Sequence, residues 1–131
     1  MSRRTTILVS VVSTAAVAAL WSALGSWPFA AAQEQGPTTR TFAVSARRYR
    51  FDPPRIEVNQ DDLVRIELHA DDIAHSLTID AYRIAKRANP GQAVAFEFRA
   101  DRPGTFPFYC NLQIDDGCRQ MKGEFVVRAR R

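Results

Sequence analysis

Beyond about residue 40, hydrophobic and polar positions alternate with period two. Phe42, Val44 and Ala46 alternate with Ala43, Ser45 and Arg47, and Ile56 and Val58 with Glu57 and Asn59. In the run 63–68, Val64, Ile66 and Leu68 face one way, while Arg65, Glu67 and the following His69 face the other. Successive side chains of an extended chain point to opposite faces, so each run predicts a half-buried strand of an antiparallel sheet, with His69 toward solvent. Further strands are predicted at 76–79, 93–99, 104–110 and 123–128. Turn signals separate them at Asp52-Pro53-Pro54, Asn59-Gln60-Asp61-Asp62, Asn89-Pro90-Gly91 and Asp101-Arg102-Pro103-Gly104. Their regular spacing predicts an all-β sandwich or barrel. Residues 80–88 alone look helical, and they are too short and poorly patterned for more than a turn or irregular crossover.

The N-terminus breaks this pattern. Arg3-Arg4 precedes an apolar run from Ile7 to about Leu24, and the small residues Ala30-Ala31-Ala32 precede Gln33. That order predicts an export signal over 1–32 cleaved after Ala32, with an uncleaved membrane anchor as the alternative because the apolar run approaches a spanning length. Ser2-Arg3-Arg4 resembles a twin-arginine signal, although Thr6 stands where a bulky apolar residue is usual, so the general secretory route stays open. Residues 33–40 read as a polar linker with Gly36 and Pro37, leaving 41–131 as one domain. Export predicts a periplasmic location, soluble or anchored.

The chain carries 18 basic and 14 acidic residues, a net +4 that falls to +2 if Arg3 and Arg4 leave with the signal. That balance argues against nucleic-acid binding, and the short basic runs at Arg47-Arg48, Lys86-Arg87 and 128–131 read as solvated faces or as a docking patch for an acidic redox partner. No nucleophile with a base at informative spacing, no phosphate-cradling glycine loop and no zinc-type ligand pairs occur, so no catalytic residue is assigned and the chain is not read as an enzyme.

The chemistry concentrates near the C-terminus, where Phe106-Pro107-Phe108-Tyr109-Cys110 is followed by Cys118-Arg119-Gln120-Met121-Lys122-Gly123. In a sandwich the loops gather at two ends, so His75, at a turn after the 63–68 strand, can meet this loop. One imidazole, two thiolates and a thioether, from His75, Cys110, Cys118 and Met121, form a soft ligand set suited to one copper ion. In an exported chain the same two cysteines can instead be joined as a disulfide, which would remove both sulfurs from a metal. A bridge opened by a reductase before metal loading satisfies both readings. Asp115 and Asp116 read as turn residues with Gly117, or as oxygen ligands for a harder metal. Phe106, Phe108 and Tyr109 read as strand packing that can also shield a metal from water.

These residues resemble the cupredoxin family, and within it the copper-A domain of cytochrome oxidase subunit II and nitrous oxide reductase. The likeness runs from Thr41 to Arg128 through Phe51-Asp52-Pro53, Ile56-Glu57-Val58, Asp71-Asp72-Ile73-Ala74-His75-Ser76, Asn89-Pro90-Gly91, Asp101-Arg102-Pro103-Gly104-Thr105-Phe106, Phe108-Tyr109-Cys110 and Met121-Lys122-Gly123. It implies a Greek-key β-sandwich. The copper-A pattern has a second cysteine four residues after the first and a histidine eight after it, where this chain has Ile114 and Cys118. A binuclear centre is therefore not expected. The resemblance instead implies a mononuclear site with Cys110 as principal thiolate, His75 as equatorial imidazole and Met121 as axial ligand, Cys118 replacing the usual imidazole. It implies one-electron transfer with a redox partner protein. Carriage of Cu(I) to an acceptor protein and a metal-free, disulfide-stapled interaction domain are the alternatives.

Overall fold

The computed structural model describes residues 36–131. The export-signal or anchor reading of 1–32 lies outside the described residues, as does the start of the linker. Among the described residues no helix is long and apolar enough to cross a membrane. Among the described residues nine strands and one short α-helix follow in order: β1 (Thr39–Arg47), β2 (Arg50–Asp52), β3 (Arg55–Asn59), β4 (Leu63–Ala70), β5 (His75–Ile79), β6 (Ile84–Ala88), β7 (Ala93–Arg99), β8 (Gly104–Tyr109), α1 (Asp116–Gln120) and β9 (Lys122–Arg128).

Two sheets result, one ordered β2-β1-β4-β7 and the other β3-β9-β8-β5-β6. The inward alternation predicted for 63–68 is present, with Val64, Ile66 and Leu68 fully buried and the residues between them half-exposed. His69 is half-exposed on the outer face, in line with the solvent-side reading. The pairing is less uniform than alternation suggests. β4 runs antiparallel to β7 but parallel to β1, and β3 runs parallel to β9. Parallel neighbours need a crossover, which β2 and β3 supply by carrying the chain from one sheet to the other before β4 returns. Alternation encodes which face is buried, not which strand lies alongside.

A second difference concerns 80–88. Only Asp80–Tyr82 forms a turn, a single 3-10 helix, and 84–88 is β6, an edge strand paired antiparallel with β5. Its period-two signal is absent because Ala85, Lys86 and Arg87 are all exposed. Charged residues on an edge discourage pairing with another chain.

The core lies between the sheets. Phe51 meets Phe108 edge-on at 5.1 Å, and Tyr82, Phe98, Phe106 and Phe125 form a second aromatic group further along the strands. Gly123 is required where β9 passes this core, since a Cβ there would fall 2.1 Å from the Phe108 ring and 2.7 Å from the Pro54 carbonyl. Phe108 is thereby held directly beneath the loop that follows β8.

One carboxylate ties the ends of the domain together. Asp62 is fully buried; its Oδ1 accepts from the Thr38 N–H at 3.1 Å and from Arg130 Nη2 at 2.8 Å, and its Oδ2 from the Asn59 N–H at 3.0 Å. Burial pushes this carboxyl up, but the bonds from Thr38 and Asn59 and the charge of Arg130 outweigh it and hold the group below its ordinary value. A carboxyl depressed on folding contributes stability above its unfolded value of 3.8 and loses it as pH falls below that. Asp62→Ala should therefore cost roughly 2–4 kcal/mol in denaturant unfolding near neutral pH, with a clearly smaller cost near pH 3. A cost independent of pH would contradict the assignment.

Candidate metal centre

Three consecutive neighbours of one sheet, β5, β8 and β9, bring the sequence-predicted residues to one end of the sandwich. His75 opens β5, Cys110 follows β8, and Met121 precedes β9, with Cys118 on α1 between them. β8 and β9 pair antiparallel from Gly104↔Val127 to Tyr109↔Lys122, and the Cys110 N–H extends that ladder to the Met121 carbonyl at 3.3 Å. β5 pairs with β8 at Thr78↔Tyr109, and the Ser76 N–H reaches Cys110 Sγ at 3.4 Å. All four residues are buried, His75, Cys118 and Met121 completely.

The imidazole is held by residues the sequence reading had not singled out for a role. His75 Nε2 lies 2.7 Å from Asp72 Oδ1, which also accepts the Ile73 N–H, while Asp72 Oδ2 accepts the Arg48 N–H at 2.7 Å. Burial pushes the Asp72 carboxyl up, yet these hydrogen bonds, with that of His75, pull it down to about 2. An ionised carboxylate only accepts, so Nε2 carries a proton, and in the neutral ring Nδ1 is then the nitrogen with the lone pair. Nδ1 is buried and meets no hydrogen-bonding partner among the described residues. A carboxylate fixing one ring nitrogen so that the other presents a lone pair is the outer-shell arrangement of metal-bound histidines. The signal in the sequence was the acidic residue three positions before His75.

The sulfurs are arranged differently. Cys110 and Cys118 are joined as a disulfide, with Cα atoms 5.2 Å apart. Of the two fates the sequence left open for these sulfurs, the structure holds the bridge, and bridged sulfurs are not thiolates. Among the described residues no group of three or more His, Cys, Asp and Glu side chains forms a ready metal cluster. The donors a soft metal would use at this end are Nδ1 and the buried Met121 thioether, with the two cysteine sulfurs joining them only once reduced.

The loop between β8 and β9 is shaped by Asp115 and Gly117, as the turn reading of those residues expects. Asp115 caps α1, its Oδ1 accepting the Cys118 N–H at 2.8 Å. The sequence carries no hint of α1 itself, which is one turn long. It also gave no hint of Tyr49, whose ring covers Gly117 and whose hydroxyl donates to Asp115 Oδ2 at 3.3 Å. Ser76 Oγ accepts the Asn111 N–H at 2.8 Å and donates to Asn111 Oδ1 at 2.6 Å, fastening the start of the loop to β5.

The architecture and the comparisons agree. A cupredoxin-like domain model matches residues 14–127, and the chain belongs to that family. No curated protein matches it in sequence. Among solved structures, a heme-copper terminal oxidase dimer is similar at 21% identity with a TM-score of 0.61, over 68% of this chain and 65% of that one. Auracyanin A, a blue copper protein from Chloroflexus aurantiacus, is similar at 16% identity and 0.58, over 69% of this chain and 99% of that one. So is subunit II of cytochrome c oxidase in its mixed-disulfide intermediate with thioredoxin-like TlpAs, at 16% and 0.58, over 68% and 81%. The chain spans somewhat less than two thirds of the oxidase chain's length. At these identities the likeness is one of fold.

Long-range nitrogen–proton NMR should show His75 protonated at Nε2, and the Asp72 carboxyl carbon should titrate near about 2. Asp72→Ala should release the ring to exchange between tautomers. A wild-type His75 protonated at Nδ1 would remove the basis for a metal-facing nitrogen.

Proposed function

We propose that this chain is an exported copper-binding protein, in which His75, Cys110, Cys118 and Met121 grip one ion in the reduced protein, and that it serves one-electron transfer with a redox partner protein. The observation carrying this reading is His75 Nδ1, buried and unpartnered while Asp72 holds Nε2. Leaving a buried acceptor unpaired costs about 1–3 kcal/mol, a cost that a metal ligand recovers on binding. When bound, copper supplies a Cu(II)/Cu(I) couple in a sulfur-rich, water-excluded setting. The chain's own residues do the rest. Asp72 fixes the ring, the Ser76 N–H holds Cys110 Sγ, Phe108 packs beneath the loop, and the β8–β9 ladder sets the spacing of Cys110 and Met121.

The bridge supports a second use of the same site. A pair of cysteines that rests as a disulfide and binds as two thiolates suits a Cu(I) carrier, because oxidising the pair releases the metal to an acceptor protein. Neither use requires catalytic residues, and the chain is read as a non-enzyme that works outside the cytoplasm.

Copper should bind the pre-reduced chain with a stoichiometry of one and leave the bridged chain unbound, as measured by metal analysis after desalting. His75→Ala should lower affinity by roughly 10-fold or more. Cys118→His should acquire the visible and electron paramagnetic spectrum of an ordinary blue site. A reversible couple at a positive potential supports electron transfer; tight Cu(I) binding with transfer to a chelator and no reversible couple supports carriage. Equal copper binding by the bridged and reduced chains, or a colourless Cys118→His variant, would overturn the site.

A further inference from the structure

The disulfide is shielded on both sides, with Cys110 2% exposed and Cys118 fully buried. A thiol cannot reach either sulfur unless some segment moves, and the two sulfurs sit on segments held very differently. Cys110 belongs to the sheet. Its N–H bonds the Met121 carbonyl, its Sγ accepts the Ser76 N–H, and its neighbour Asn111 is fastened to Ser76 Oγ. Cys118 rides on one turn of helix whose cap, Asp115, spends its second oxygen on the Tyr49 hydroxyl. Tyr49 belongs to the β1–β2 turn, and its ring lies over Gly117 so closely that a Cβ there would fall 2.2 Å from ring carbons. One carboxylate therefore connects Tyr49 to the backbone of Cys118. Tyr49 is itself 44% exposed, and Ile114, in the loop between β8 and β9, is 54% exposed, so this latch faces solvent.

We propose that a vicinal dithiol opens the bridge from the Cys118 side, and that Tyr49 is the latch governing access. This rests on the reading that the cysteines must be reduced to hold copper. With the Tyr49 ring off Gly117, a thiolate of the dithiol attacks Cys118 Sγ. A sulfur–sulfur bond forms to Cys118 as the Cys110–Cys118 bond breaks. The electron pair of the broken bond goes to Cys110 Sγ, where the Ser76 N–H already points at the developing charge. The second thiol of the dithiol, deprotonated, then attacks its own partner sulfur and releases Cys118 as a thiolate. The dithiol leaves as a disulfide, the cysteine pair gains two electrons, and the two protons pass to solvent or to the freed thiolates. Tyr49 is a positioning residue here, acting through Gly117 and Asp115.

The full, metal-free, bridged chain is mixed briefly with glutathione, quenched in acid and alkylated, and the adduct is located by fragmentation. The glutathionyl group should lie on Cys118 with alkylated Cys110; the reverse arrangement overturns the proposal. In parallel, reduction by dithiothreitol is timed by thiol alkylation. Tyr49→Phe keeps the ring over Gly117 but loses the hydroxyl, and should accelerate reduction a few-fold. Tyr49→Ala should accelerate it roughly tenfold or more, the size set by one hydrogen bond plus its ring packing. Rates equal to wild type in both overturn the latch. If Tyr49→Ala fails to fold by circular dichroism, Tyr49→Phe and the adduct position still decide. Copper binding by the pre-reduced wild-type chain is measured separately. Its absence defeats the copper reading alone, whereas normal binding with the adduct on Cys110 defeats this proposal alone.

Discussion

The antiparallel pairing of β8 with β9 is the constraint on which the rest depends. It runs without interruption from Gly104↔Val127 to Tyr109↔Lys122 and is extended by the Cys110–Met121 backbone bond. That register decides that Cys110 and Met121 leave the sheet side by side, so the ten intervening residues must fold back on themselves. A one-residue slip would turn every side chain of β9 to the opposite face, moving Phe125 and Val127 out of the core. Gly123 guards against this, because only a residue without a Cβ passes between Phe108 and the Pro54 carbonyl. The site inherits its precision from sheet packing rather than from its own loop. This agrees with a rigid scaffold carrying chemistry at its edge.

Around that fixed pair, the end of the sandwich is assembled from three loops tied to one another by acidic side chains. Asp72 joins the β1–β2 turn to His75, and Asp115 joins the same turn to Cys118. Each uses both of its oxygens, one within its own loop and one across to residues 48–49. The β1–β2 turn thus senses both halves of the donor set. A carboxylate divided in this way is stiffer than either hydrogen bond alone, since moving one partner disturbs the other.

Much of this was legible in the sequence, for reasons that also explain what was not. The burial of Val64, Ile66 and Leu68 follows from alternation, a sandwich or barrel from the spacing of turn signals, and the cupredoxin-like architecture from the family resemblance. β6 was invisible because an exposed edge strand has no apolar stripe to betray it, and the parallel partners of β1 and β3 were invisible because pairing is set by the crossover path. Asp72 stood three residues from the histidine it orients, a spacing that can be read. Tyr49 stood 66 residues from Asp115, and only the folded chain brings them together. For Cys110 and Cys118 the sequence left two chemistries open. The 5.2 Å between their Cα atoms is the ordinary spacing of a bridged pair, so the fold accommodates the disulfide.

Placing Cys118 where related loops carry an imidazole changes what the site can do, not merely how strongly it binds. A histidine there would present a donor in every redox state of its surroundings, and the loop would be a permanent ligand set. A cysteine opposite Cys110 presents a donor only when two electrons have been supplied, and withdraws it when they are taken away. The same exchange adds negative charge to the reduced set, favouring the higher oxidation state electrostatically while keeping the softness that Cu(I) requires. His75, with Nε2 fixed by Asp72, and the Met121 thioether take no part in the bridge. Half of the donor set is therefore constant and half conditional. On the copper reading proposed above, such a division would couple metal occupancy to the redox state of the surroundings.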